Sequence, residues 1–98
     1  MSQIVYASPH PVYGVVQVQT GWDRMLQAFH WTLFDEDDNV LDEDSILIPV
    51  MDASEVIAAL KRAGVKTPPE LLEILEVHQM QDYGNVRVEL TLPKEDKA

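Results

Sequence analysis

The apolar positions of this 98-residue chain recur with two different periods, and the change of period separates strands from helices. Between residues 12 and 20, Val12, Gly14, Val16 and Val18 alternate with Tyr13, Val15, Gln17 and Gln19, the period of two expected of a half-buried strand. Val86, Val88, Leu90 and Leu92 alternate in the same way with Arg87, Glu89 and Thr91. Residues 51–80 follow a helical period instead. Ala53, Val56, Ile57, Ala59, Leu60 and Ala63 fall in one arc of a helical wheel, opposite Glu55, Lys61 and Arg62. Leu71, Leu72, Ile74, Leu75 and His78 form a second arc facing away from Glu70, Glu73 and Glu76, with Val77 outside it.

Start and stop signals frame both helices. Asp52 followed by Glu55 reads as a capping box, Met51 and Val56 as its hydrophobic staple, and Gly64 as a left-handed stop. Thr67, Pro68 and Glu70 repeat the device, which predicts a second helix beginning at Pro68. The short link from Gly64 to Lys66 makes the two helices antiparallel neighbours on one core.

The remaining segments read as extended chain and turns. Ile4, Val5 and Tyr6 suggest a short edge strand ended by Ser8, Pro9, His10 and Pro11. Gly21, Trp22 and Asp23 are the expected turn after the first long strand. From Trp22 to Phe34 two periods compete, because Trp22, Met25, Leu26 and Phe29 have helical spacing while residues 29–34 are rich in aromatic and branched side chains. A strand beginning near Arg24 is the preferred reading, with Met25, Phe29, Trp31 and Leu33 on one face. Asp35, Glu36, Asp37, Asp38 and Asn39 form a turn, and Val40 and Leu41 resume an extended chain. Residues 42–45 are a second polar interruption before a strand at Ile46, Leu47 and Ile48. Another turn falls at residues 82–85.

This order predicts one α+β domain spanning residues 1–98: a small antiparallel or mixed sheet, β-β-β-α-α-β with a short extra N-terminal strand, and two helices packed on one face. The other sheet face, carrying Tyr13, Gln17, Gln19, His30, Thr32, Arg87, Glu89 and Thr91, is left for water or a partner. Residues 94–98 read as a mobile polar tail.

Charge sharpens the picture. Seventeen acidic residues against seven basic ones give a net charge of −10, which disfavours nucleic-acid phosphate and anionic membranes as direct partners. Seven of the acids, Asp35, Glu36, Asp37, Asp38, Asp42, Glu43 and Asp44, are clustered. The absence of cysteine excludes disulfides, thiolate metal sites and a cysteine nucleophile, and suits a cytoplasmic protein. Residues 1–6 lack the basic and apolar segments of a secretory signal, and no apolar run approaches membrane-spanning length.

No residue pattern names a reaction. Set on an EF-hand loop, Asp35, Asp37 and Asn39 fill the first, third and fifth positions, but Val40 stands where glycine is required and Ile46 where the bidentate glutamate belongs. His10, His30 and His78 are too dispersed for a zinc pattern. His78 reads as a boundary residue of its helix, and His30 as the better surface candidate. The serines lack a nucleophile-elbow context, and the four glycines form no phosphate cradle. Neither catalytic residue, metal nor cofactor is assigned, and a non-enzymatic protein is favoured.

What remains is a small acidic protein-binding or regulatory module that touches a partner, or a second copy of itself, through the open sheet face and an unpaired strand edge. Tyr13, Gln17, Trp22, His30, Thr32 and Arg87 are the contact candidates. Two rivals come from other classes. One is an acidic nucleic-acid mimic or inhibitor using the acids of residues 35–44. The other is a small-ligand protein or enzyme with a pocket between helices and sheet, near Trp31 and His78.

Overall fold

The computed structural model describes residues 1–44 and 48–92. The elements follow in the order β1 (Ser2–His10), β2 (Gly14–Asp23), β3 (Ala28–Phe34), β4 (Val40–Glu43), α1 (Ala53–Arg62), α2 (Leu71–Met80) and β5 (Val86–Glu89). They build a five-stranded sheet of order β4-β3-β2-β1-β5, in which β5 runs parallel to β1 and the other neighbours are antiparallel. This is the α+β architecture that the two periods imply, with the extra N-terminal strand present.

Register sorts the side chains into two faces. Ile4, Tyr6 and Ser8 of β1 pair with Thr20, Val18 and Val16 of β2, and Val18, Thr20 and Trp22 pair with Leu33, Trp31 and Phe29 of β3. All are buried. The apolar ones among them form one core with Ala53, Val56 and Leu60 of α1 and Leu71 and Leu75 of α2, so both helices lie on this face. Among the described residues, no helix is long and apolar enough to cross a membrane.

Helix α1 starts as its cap predicts, with the Asp52 carboxylate accepting the Ser54 N–H. Beyond its last residue, Gly64 adopts φ 99°, which a glycine accepts without a Cβ penalty. Helix α2 departs from expectation. It begins at Leu71 rather than Pro68, and its N-cap position is Glu70, with no side-chain cap bond. Pro69 explains the delay, because its ring disfavours helical geometry at the residue before it. Pro69 and Glu70 therefore make a turn, closed by the Leu71 N–H on the Pro68 carbonyl. Leu72, at the margin of the apolar arc, is exposed, as is Val77.

Three further expectations are corrected. β1 is a nine-residue strand between β2 and β5, not a short edge strand. Pro9 is tolerated because it lies past Val5, the last β1 residue in register with β5. Gly21, Trp22 and Asp23 continue β2 instead of turning. The turn comes at residues 24–27, where the Asp23 carboxylate accepts the N–H groups of Met25 and Leu26 and Gln27 adopts φ 54°. Met25 is consequently 92% exposed and belongs to no face of β3. Finally, Asp42 and Glu43 lie within β4 rather than in an interruption. Of the strand expected at Ile46, Leu47 and Ile48, Ile48 is exposed and lies in no strand, while Ile46 and Leu47 lie outside the described residues.

Candidate functional site

The face of the sheet turned away from the helices carries Gln3, Val5, Ala7 and Pro9 of β1, Val15, Gln17 and Gln19 of β2, His30, Thr32 and Phe34 of β3, and Arg87 and Glu89 of β5. Strand alternation puts them there, and six of the expected surface residues, Gln17, Gln19, His30, Thr32, Arg87 and Glu89, share it. Tyr13 sits in the β1–β2 turn, exposed and tilted against the His10 ring at 4.9 Å. Trp22, by contrast, is buried away from this face. It is 3% exposed on the helix side, packs edge-on against Phe29, and donates its indole N–H to Asp82 at 2.8 Å.

A hollow of about 410 Å³ lies on the open face. Its floor includes Val5, Ala7 and Val15, and its rim includes Asp35, Glu36 and Asp38 from the β3–β4 loop and Arg87 and Glu89 from β5. The loop holds its shape through Asp35. One carboxylate oxygen accepts the N–H groups of Asp37 and Asn39, and the other accepts the Asn39 side-chain amide. These bonds hold the Asp35 carboxyl below the usual carboxylate range. Arg87 is engaged at 3.4 Å with Glu89 and at 3.3 Å with Gln3.

The clustered acids therefore separate into distinct tasks. Asp35 organises the loop. Asp44 accepts the Trp31 N–H and donates its own N–H to the Trp31 carbonyl, extending the edge of β3. Glu36, Asp37 and Asp38 are exposed in the loop, and Asp42 and Glu43 are exposed on the edge strand β4, where charge discourages a further strand from pairing. Among the described residues, no group of three or more histidine, aspartate or glutamate side chains is arranged to hold a metal ion.

Each histidine has a backbone or hydroxyl partner. His10 accepts the Val12 N–H at Nδ1, so Nε2 carries the hydrogen that bonds the Ala63 carbonyl. His30 reaches the Ser2 carbonyl at 3.0 Å. His78 Nδ1 lies 2.9 Å from Ser2 Oγ, which also accepts the Trp22 N–H. Burial lowers the pKa of both His30 and His78.

Sequence reasoning missed this serine–histidine pair, because 76 positions separate its members. Its geometry resembles a nucleophile and base, yet Ser2 has no exposed surface and both its oxygens are committed to the fold. The pocket expected near Trp31 and His78 resolves into two surface depressions. One, of about 460 Å³, is lined by Ile74, Val77, His78, Tyr83, Val86 and Val88. The other, of about 250 Å³, is lined by Trp31, Asp42, Glu43, Ala59, Arg62 and Ala63. No protein-family model, no curated protein and no solved structure matches the chain.

Proposed function

We propose that this chain is a non-catalytic binding module that holds a protein partner against the open face of its sheet. The observation that carries the reading is the hollow, whose apolar floor at Val5, Ala7 and Val15 lies beside acids on two sides. Such a site suits an apolar side chain flanked by lysine or arginine. The apolar group gains by leaving water, and the cation meets Asp35, Glu36, Asp38 or Glu89. The net charge of −10 draws the same class of partner from a distance.

The test uses a displayed library of random peptides selected against the purified protein, followed by amide shift mapping of the enriched peptides. The expected peptides combine basic and apolar residues and shift Val5, Ala7, Val15 and Gln17. Ala7→Arg fills the hollow from an exposed position and should abolish their binding. Peptides that shift only the helices, or that bind Ala7→Arg equally well, refute the reading. The exposure of Glu36, Asp37, Asp38, Asp42 and Glu43 favours the second reading, an acidic mimic or inhibitor. That version predicts binding to basic proteins that survives Ala7→Arg and weakens steeply with salt.

A further inference from the structure

We infer that β5 is a dimerisation edge, at which two copies of this chain join their sheets through antiparallel β5–β5 pairing about a twofold axis at Val88. Among the described residues, no strand covers the outer edge of β5. Leu90 donates its N–H to the Val5 carbonyl on the inner side. By strand alternation, the backbone groups of Val86 and Val88 also face β1, so those of Arg87 and Glu89 point outward. An exposed edge of this kind is a template for another strand.

The sequence of that edge is complementary to itself. In a pairing centred on Val88, Arg87 stands opposite Glu89 of the second copy and Glu89 opposite its Arg87. These are the residues whose outward N–H and C=O groups exchange hydrogen bonds in an antiparallel ladder. Both side chains are exposed on the open face, where the two oppositely charged pairs meet across the junction. On the helix side, Val88 meets its own copy and Val86 meets Leu90. The neighbouring groove of about 460 Å³, with Ile74, Val77 and Tyr83 in its wall, then lies against the second copy instead of water. A twofold contact requires such a self-complementary patch. The other sheet edge, β4, carries Asp42 and Glu43 with no cation in the strand, and would set like charges together.

The pairing shares Arg87 and Glu89 with the rim of the open-face hollow, but Ala7 lies outside β5, so Ala7→Arg should abolish peptide binding and leave the dimer, which tells the two readings apart. Sedimentation velocity over a range of protein concentrations, at about 0.15 M salt so that repulsion between the two acidic chains is screened, should show a wild-type monomer–dimer equilibrium. Arg87→Glu and Glu89→Arg each set like charges opposite one another and should raise the dissociation constant more than tenfold. Combining them in one chain preserves the net charge and restores the dimer, and mixing the two single variants yields a heterodimer. In the wild type, the amides of Arg87 and Glu89 should exchange with solvent more slowly at high than at low protein concentration, a readout that needs no variant. A wild type that stays monomeric, single variants that dimerise as well as the wild type, or a mixture that stays monomeric each overturns the proposal.

Discussion

Replacing Gly21 by alanine tests a crowded point of the sheet. A Cβ built on Gly21 overlaps the Ser2 carbonyl oxygen and comes within 2.8 Å of both the Ser2 carbonyl carbon and Oγ. The first two are backbone atoms of a fully buried residue, so relief requires β1 to move away from β2. Overpacking of this kind costs about 1–3 kcal/mol. Moving Ser2 also breaks the Trp22 N–H bond to Oγ and the His30 bond to the carbonyl, each worth about 1 kcal/mol. The sum, about 3–5 kcal/mol, is a large part of the roughly 5–15 kcal/mol typical of a domain. Urea titration followed by circular dichroism should show that loss, and the melting temperature should fall by on the order of 20 °C. Gly14→Ala is the control. Gly14 has φ 82° but open space around its missing Cβ, so only backbone strain of about 1–2 kcal/mol applies. If Gly21→Ala costs no more than Gly14→Ala, the close approach of Ser2 is not what selects glycine.

Two further outcomes concern protonation and a single hydroxyl. His30 and His78 have pKa values lowered by burial, so the unfolded chain binds protons that the folded chain refuses. The stability they contribute is complete above about pH 6.5, their unfolded value, and is lost as pH falls toward their folded values. Urea midpoints should therefore decline from pH 7 to pH 5, and the ring protons of both should titrate below those of an unfolded peptide in NMR; titration at or above the unfolded value contradicts the burial argument. Tyr6 is buried, and its pKa is raised by that burial, while its hydroxyl donates to the Lys66 carbonyl at 2.7 Å. Tyr6→Phe should cost about 1 kcal/mol and reduce the loss of stability above about pH 10; equal alkaline sensitivity in both proteins would show that Tyr6 is not its source.

The elements with an uninterrupted period were legible, and those decided by tertiary contact were not. Asp52 and the apolar arc of α1 sufficed to locate that helix, because cap and face are local properties of consecutive residues. Leu71, Leu75 and His78 were placed on the correct face of α2, but the start of that helix depended on Pro69 overriding a cap signal at Thr67. Gly21 was read as punctuation because a glycine needed for a turn and one needed for close approach look alike in sequence. What distinguishes them is Ser2, nineteen positions away in the chain and adjacent in space. The burial of Trp22 is hidden from the sequence for the same reason, since it follows from β2 continuing through Gly21. The open face fared better. Gln17, His30, Thr32 and Arg87 were assigned to it by alternation alone, whereas Val5, Ala7 and Val15 went unnoticed as its apolar floor, since short apolar side chains carry no mark of which face they occupy.

The strong acidity of the chain connects these surfaces and separates them by sign. A partner with cationic side chains is attracted to a molecule of net charge −10, so its association slows and weakens as salt screens the field. A second copy carries the same charge and is repelled at long range, so salt favours its approach until the short-range pairs of Arg87 and Glu89 form. Loop and edge acids sharpen the contrast. Asp42 and Glu43 guard β4 against pairing, while β5 places one cation and one anion on its outer edge in positions that a twofold axis exchanges. The sheet thus has one edge made repulsive to itself and one made complementary to itself, a difference that a need for solubility alone does not explain.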